Sequence, residues 1–230
     1  MITTVADIYL EKTISENLFL LSVKLKRYKQ WIPGMFMQIS LKETTASAPW
    51  LDGRSFSFAS WGDDTAKILV RREGEFTTEL VEKSRKGFTT SVRYPFGNFI
   101  LNSKNNKIFL AGGAGISVFL SYLDYINLSR IYSGNTLLIH TVKRKSESFE
   151  NVYSGKVPNC VTVKQFFTNV NESRYTGRFT VDDFYNAVLD INDKEVFICG
   201  PPKFNSFWVD TLKSLGINPK VEQWENKVTF

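Results

Sequence analysis

The sequence predicts an α+β protein of two domains. An antiparallel β-barrel over residues 1–102 is followed by an α/β domain with a doubly wound parallel sheet over residues 103–230. In the first hundred residues, short apolar runs with strand-like alternation are separated by turn residues, which is typical of a small barrel. Beyond residue 104, apolar runs of buried-strand type alternate with helical stretches, the pattern of a parallel sheet with helices on both faces. The polar segment 102–106 is the predicted linker.

The first domain is expected to hold five strands and one helix. The strands span residues 17–25, 34–41, 53–60, 66–72 and 89–94, and the helix spans residues 77–83. Pro95 and Gly97 are expected to stop the fifth strand, because proline cannot donate a ladder hydrogen bond and glycine is weak in strands.

The second domain is expected to alternate four strands with four helices. The strands span residues 105–111, 136–141, 161–167 and 195–199, and the helices span residues 117–128, 146–153, 181–189 and 202–215. The order of these elements predicts successive βαβ units and therefore a parallel sheet.

Composition excludes several classes of protein. Two cysteines and one histidine among 230 residues cannot build a Cys-rich zinc or iron–sulfur site, so no metal is expected. No apolar run approaches the ~20 residues of a membrane span, and the first residues lack a signal-peptide layout. A reducing cytoplasm is the expected compartment. The net charge of +6 suits nucleic acid, an anionic cofactor or an acidic protein, but the cations are scattered and no nucleic-acid recognition motif is present.

The segment Arg54-Ser55-Phe56-Ser57 points to an anionic ligand that carries a ring. In an extended strand Arg54 and Phe56 share one face, so the guanidinium can hold a phosphate while the ring covers an aromatic system. Ser57 can reach the edge of that ring where the strand ends. The alternative is an amphipathic strand with an exposed arginine and a core phenylalanine.

Two turns in the second half suit a nucleotide. Gly112-Gly113-Ala114-Gly115 ends a strand and opens a helix, which predicts a pyrophosphate seat at the carboxyl edge of the sheet. Cys199-Gly200-Pro201 ends a later strand in the same way and places Cys199 at the ligand crevice. The alternatives are a tight strand-to-helix turn and an ordinary buried thiol. Cys199 has little support as a nucleophile, because the single histidine, His140, ends another strand.

The order of these and other short motifs resembles the ferredoxin–NADP reductase family over nearly the whole chain. The motifs are Pro33-Gly34-x-Phe36, Arg54-x-Phe56-Ser57, Gly74-x-x-Thr77, Pro95-Phe96-Gly97, Gly112-Gly113-x-Gly115 and Cys199-Gly200-Pro201. The resemblance implies a flavin-binding barrel followed by a nicotinamide-nucleotide domain. It also implies transfer of hydride from NAD(P)H to FAD, with FMN less expected, and of electrons to a separate acceptor such as an acidic electron-carrier protein.

The resemblance also assigns roles to single residues. It implies that Arg54 and Thr77 hold the flavin phosphate, that Phe56 stacks on the flavin ring, and that Ser57 hydrogen-bonds near flavin N5, with Ser55 in the same stretch. In the nucleotide domain the implied binding residues are Gly112, Gly113, Gly115, Ser117, Gly200 and Pro201. Cys199 is expected near the nicotinamide, Glu222 near the flavin, and Trp224 as a shield over the flavin; the implied catalytic residues are Ser57, Cys199 and Glu222.

Two departures from the family pattern leave alternatives open. Phe56 stands where the family more often has tyrosine, which also suits flavin reductases that use flavin as a loosely held substrate. Val118 stands where proline usually follows the glycine loop. A non-catalytic electron-transfer subunit is the third alternative.

The expected nucleotide is NADPH rather than NADH, by a modest factor. Lys143 and Arg144 follow a strand beside the glycine loop, where cations would meet a 2′-phosphate. Asn169 stands where related bacterial reductases carry a second arginine, and Arg174 or Arg178 are candidates to replace it.

Overall fold

A computed structural model gives the fold of the chain and describes residues 1–42, 50, 52–131, 134–169, 179–188, 191 and 193–222. The chain forms two compact units, each with its own sheet. Among the described residues, the first unit contains Met1–Asn102 together with the helix Ser117–Ser129, and the second contains Ser103–Ile116 and the chain from Arg130 to Glu222. The predicted division after residue 102 stays a prediction.

Six antiparallel strands form the first sheet, in the order β4-β3-β6-β1-β2-β5. They are β1 (Ile2–Ser15), β2 (Leu18–Leu25), β3 (Phe36–Ile39), β4 (Arg54–Ser57), β5 (Thr65–Arg71) and β6 (Phe88–Phe96), and helix α1 (Glu75–Lys86) lies between the last two. The chain just beyond β4 bridges β5 through Phe58 and Ile68, so the sheet curls into a barrel. The predicted barrel is therefore confirmed.

The barrel differs from the expectation in two elements. The long strand β1 was not predicted, and it lies between β2 and β6. Of the two expected stops, Pro95 was wrong, because β6 continues to Phe96, which pairs with Phe36, and the strand ends immediately before Gly97. The register of the β3–β6 ladder shifts between Phe36 and Gln38. A proline is tolerated at such an irregularity, since its missing N–H leaves no regular ladder bond unmade.

The second sheet has five parallel strands in the order β11-β10-β7-β8-β9. The strands are β7 (Asn106–Gly112), β8 (Thr136–Val142), β9 (Val161–Phe167), β10 (Lys194–Cys199) and β11 (Lys220–Glu222). The helices of this unit are α3 (Phe149–Val152), α4 (Val181–Ala187) and α5 (Pro202–Ser214), with a 3₁₀ helix, Gly113–Ile116, after β7. Helix α2 (Ser117–Ser129), which follows that 3₁₀ helix in the chain, belongs to the first unit. From the central strand β7 the chain first adds β8 and β9 on one side, and it then adds β10 and β11 on the other side. This is the predicted doubly wound order.

An aromatic core covers one face of this sheet. Trp208 of α5 packs against Phe179 and Phe184, with ring centroids 4.8 and 5.4 Å away. The three rings join Ile108 and Ile198 of the central strands in one buried cluster. The burial of these apolar side chains stabilises the strands whose carboxyl ends carry the candidate site.

Candidate functional site

Arg54 and Phe56 of β4 meet the first turn of α1 at the ring of Phe76. The guanidinium carbon of Arg54 lies 5.5 Å from the Phe76 ring centroid, and the ring of Phe56 lies 6.3 Å from it at an interplanar angle of 27°. Arg54 is half-buried, and its Nη1 donates to the carbonyl of Gly53 at 3.1 Å. Phe76 was missed from the sequence, although its place two residues after Gly74 could have indicated it. We call Arg54, Phe56, Ser57, Phe76 and Thr77 the barrel site.

Phe56 is only 9% exposed and belongs to the barrel core. Its burial fits the amphipathic-strand alternative as well as the ligand interpretation, so its stacking role stays a prediction.

Ser57 ends β4 with a buried hydroxyl. It is 5% exposed, and its Oγ has no hydrogen-bond partner among the described residues. A buried hydroxyl without a partner costs free energy, about 1–3 kcal/mol, unless a ligand or water supplies the missing bond. Ser55 lies opposite Gln38 of β3 and faces away from Arg54 and Phe56. Ser57 is the last residue of β4, and its predicted contact with the edge of a ring that Phe56 covers depends on this position at the strand end.

Thr77 closes the N-terminus of α1. Its Oγ1 accepts the backbone N–H groups of Glu73 and Gly74, each at 3.1 Å, and donates to the carbonyl of Gly74. The side chain is therefore used in capping, and a contact of the Thr77 backbone N–H with a flavin phosphate stays a prediction. The N–H groups of the first helical turn carry the positive end of the helix dipole.

Close packing explains three of the predicted glycines. A Cβ on Gly115 would lie 2.2 Å from the carbonyl oxygen of Cys199, and one on Gly200 would lie 2.6 Å from the ring of Phe204. A Cβ on Gly112 would lie 3.0 Å from the same ring and 3.1 Å from Pro201. The glycines therefore bring the ends of β7 and β10 together with the start of α5, and any contact with a nucleotide stays a prediction. We call Gly112–Ile116 the glycine loop.

His140 at the end of β8 contacts the glycine loop directly. Its Nε2 lies 3.0 Å from the carbonyl oxygen of Gly113, and its side chain is fully buried. Gly113 has a φ of +55°, a left-handed conformation that favours glycine. Sequence reasoning noted that His140 ends a strand but gave it no role in the site.

Cys199 and Glu222 lie side by side at the carboxyl ends of β10 and β11, which pair in register there. Cys199 is 0% exposed, and burial, with a smaller effect of the Glu222 carboxylate, raises the pKa of its thiol well above the usual value. The thiol is therefore protonated at neutral pH and a poor nucleophile. Burial also raises the pKa of Glu222 to about 7, so this carboxyl can exchange a proton near neutrality.

The predicted cations Lys143 and Arg144 are exposed immediately after β8. The N–H of Asn169 donates to the carbonyl of Lys143 at 3.1 Å, so the ends of β8 and β9 stay paired there. Ser117 is buried at the start of α2. Three residues named from the sequence, Trp224, Arg174 and Arg178, lie outside the described residues.

Neither a metal site nor a membrane helix is present in the described part of the chain. No group of three or more histidine, cysteine, aspartate or glutamate side chains there is placed to hold a metal ion. Among the same residues, no helix is both long and apolar enough to cross a bilayer.

Comparison with solved structures identifies the fold. The ferredoxin reductase of a carbazole 1,9a-dioxygenase superimposes with a TM-score of 0.79 at 16% identity, over 97% of this chain and 70% of that one. A ferredoxin NADP⁺ reductase from Neisseria gonorrhoeae with bound FAD and NADP gives a TM-score of 0.74 at 17% identity, over 93% and 92% of the two chains. The chain has the ferredoxin–NADP reductase-like fold. The fold class predicted from the sequence is thus confirmed, and the fold is the one that the family resemblance implied.

Sequence comparison finds relatives below 30% identity. The 2-halobenzoate 1,2-dioxygenase electron transfer component of Burkholderia cepacia is 26% identical over 214 residues, which cover 87% of this chain and 60% of that protein. No family model matches the chain. The chain spans about half to three fifths of the length of the curated relatives it matches.

Proposed function

We propose that the chain is an NAD(P)H-dependent flavoprotein reductase. In this proposal it passes hydride from NAD(P)H to a bound FAD and sends the electrons on to a separate acceptor such as a ferredoxin. Support comes from the order of the motifs, from the ferredoxin–NADP reductase-like fold, and from relatives named as electron transfer components of dioxygenases. FAD is favoured over FMN because fold neighbours were solved with bound FAD.

The observation that carries the proposal is the buried hydroxyl of Ser57. Its Oγ has no partner among the described residues, and it lies on the strand that also carries Arg54. A flavin fits this arrangement. The hydroxyl would hydrogen-bond at N5, and Arg54 and the Thr77 N–H would hold the pyrophosphate while Phe56 covers the ring. The flavin would supply the capacity to accept a hydride and release single electrons.

The glycine loop and its neighbours would hold the nicotinamide nucleotide. N–H groups at the start of a helix bind pyrophosphate, and Lys143 and Arg144 are exposed cations suited to a 2′-phosphate. Cys199, kept protonated by burial, would line the nicotinamide position without reacting with it. Glu222, with a pKa of about 7, would hold or release a proton as electrons pass through the site.

We propose an acidic electron-carrier protein as the acceptor. The formal charge of +6 favours an anionic partner, because opposite charges speed diffusional encounter. Lys24, Arg27 and Lys29 form an exposed cationic stretch on the barrel unit, and Lys26 within it pairs with Asp7. A cytoplasmic location remains a prediction that rests on the small number of cysteines.

One specific observation supports a second candidate, a flavin reductase that releases reduced flavin. Phe56 lacks the hydroxyl that tyrosine would bring to the flavin, so flavin retention rests more heavily on Arg54 and Ser57.

The test is reduction of the purified protein under anaerobic conditions. The proposal expects flavin that stays with the protein through gel filtration, is bleached by NADPH or NADH, and passes electrons to a ferredoxin. Protein without flavin that oxidises NAD(P)H only when flavin is added would support the second candidate. Absence of NAD(P)H oxidation under both conditions would contradict both candidates and leave a non-catalytic subunit.

A further inference from the structure

His140 contacts the glycine loop at the carbonyl of Gly113, the residue that opens the 3₁₀ helix. The imidazole Nε2 lies 3.0 Å from the Gly113 oxygen. A carbonyl oxygen can only accept a hydrogen bond, so Nε2 must carry the proton and donate it. Because the side chain is fully buried on β8 between paired strands, the ring is held in place by packing.

Peptide planarity carries this contact to the far side of the loop. In a trans peptide the C=O and the following N–H point in opposite directions. A Gly113 carbonyl fixed toward His140 therefore turns the N–H of Ala114 away from β8. Gly113 has a left-handed φ and opens the 3₁₀ helix Gly113–Ile116, so the imidazole holds the carbonyl of the peptide from which that turn starts.

We propose that His140 is a positioning residue of the nucleotide site, which aims the Ala114 N–H at the nucleotide pyrophosphate by holding the Gly113 carbonyl. The inference rests on the proposed function and extends it, because it assigns a role to a residue that does not itself touch the nucleotide. Packing holds the loop at two other points, where Gly115 lies against the Cys199 carbonyl and Gly112 lies against the ring of Phe204. At Gly113 the loop is held by the hydrogen bond from His140.

Two amide variants separate this role from simple packing. The amide nitrogen of glutamine lies as many bonds from Cα as Nε2 does, so His140→Gln keeps a donor in reach of the Gly113 carbonyl. Asparagine places its donor one bond shorter, at the position of Nδ1, so His140→Asn loses the bond while remaining a neutral amide. The measurement is kcat/KM for flavin reduction by NADPH, divided by the same constant for a phosphate-free donor such as 1-benzyl-1,4-dihydronicotinamide.

The ratio distinguishes phosphate positioning from general damage. We expect His140→Asn to lower it about five- to tenfold, the size expected for one hydrogen bond, and His140→Gln to stay within about twofold of wild type. Equal ratios for wild type and both variants would overturn the inference while the reductase proposal stands. If neither NADPH nor NADH reduces the wild-type flavin, the reductase proposal itself fails, and the inference fails with it.

A measurement on the unmodified protein covers the case in which a variant does not fold. His140 is the single histidine of the chain, so its ring nitrogens give the only imidazole signals in a ¹⁵N spectrum. The inference requires a proton on Nε2. A spectrum with the proton on Nδ1 alone would overturn it, whatever the variants show.

Discussion

Replacing Arg54 with alanine is expected to weaken flavin binding far more than it weakens the fold. In the proposed complex the guanidinium donates charge-assisted hydrogen bonds to a phosphate. Because Arg54 is half-buried and partly screened, we assign these bonds about 2 kcal/mol, or about a thirtyfold rise in the flavin Kd. In the protein alone the side chain contributes a cation–π contact with Phe76 at 5.5 Å, worth about 0.5–1 kcal/mol. The melting temperature should therefore fall by only about 2–3 °C.

Arg72 offers a matched control for this experiment. Its guanidinium carbon also lies 5.5 Å from an aromatic centroid, that of Phe19, and its Nη2 donates to the carbonyl of Glu16 at 3.0 Å. Arg72→Ala should cost at least as much stability as Arg54→Ala without changing the flavin Kd, measured by fluorescence titration of the flavin-free protein. Arg54→Lys should give an intermediate Kd, since lysine keeps the charge but loses the two-pronged contact. A Kd that is equal in wild type and Arg54→Ala would refute the assignment.

Three further predictions concern the second unit. Cys199→Ser should retain flavin but slow its reduction by NADPH about tenfold or more in stopped-flow measurements, because small misplacements of reacting atoms lower the rate of hydride transfer. A wild-type rate would make Cys199 an ordinary core thiol. Changing Lys143 and Arg144 together to alanine should abolish a modest preference for NADPH over NADH, and raising salt should erode it in wild type; an unaltered kcat/KM ratio would contradict this. Glu222, with a pKa raised from 4.5 to about 7, holds a proton in the folded protein that the unfolded chain has released. The free energy of unfolding should therefore fall by up to about 3 kcal/mol as the pH rises from 4.5 to about 7. In denaturant unfolding, Glu222→Gln should remove this pH dependence. An identical pH dependence in the variant would show that the carboxyl is not buried.

The barrel was predictable from sequence except where apolar residues on the exposed face hid the pattern. Strand β1 buries Thr4, Ala6 and Ile8, while the apolar Val5 and Tyr9 are 41% and 48% exposed. A strand with apolar residues on both faces does not give the polar–apolar alternation of a half-buried strand. Pro95 led to a prediction of a strand that was too short. A proline ends a strand only where the ladder needs an N–H at that position, and β6 continues past Pro95 to Phe96.

The placement of the candidate residues at strand ends was predictable from residue type and strand pattern. Arg54, Ser57 and Cys199 were proposed because their residue types suit anion, ring-edge and crevice contacts, and their roles stay predictions. The roles of Phe76 and His140 depend on contacts between elements distant in sequence, such as the 3.0 Å approach of Nε2 to Gly113 across two strands. Such contacts follow from register, which a single sequence specifies weakly.

The order of the second sheet explains why its candidate residues collect where they do. From β7 the chain continues to β8 and β9 on one side, and it reaches β10 and β11 on the other, so the winding direction changes between β7 and β10. Ligands of doubly wound sheets bind at the carboxyl ends of the strands beside such a change. The glycine loop follows β7 and the Cys199–Pro201 turn follows β10, so these two segments flank that point. The close approach of Gly115 to the Cys199 carbonyl is therefore a consequence of topology, and it leaves His140, on the opposite neighbour of β7, as the side chain that can orient the loop from the β8 side.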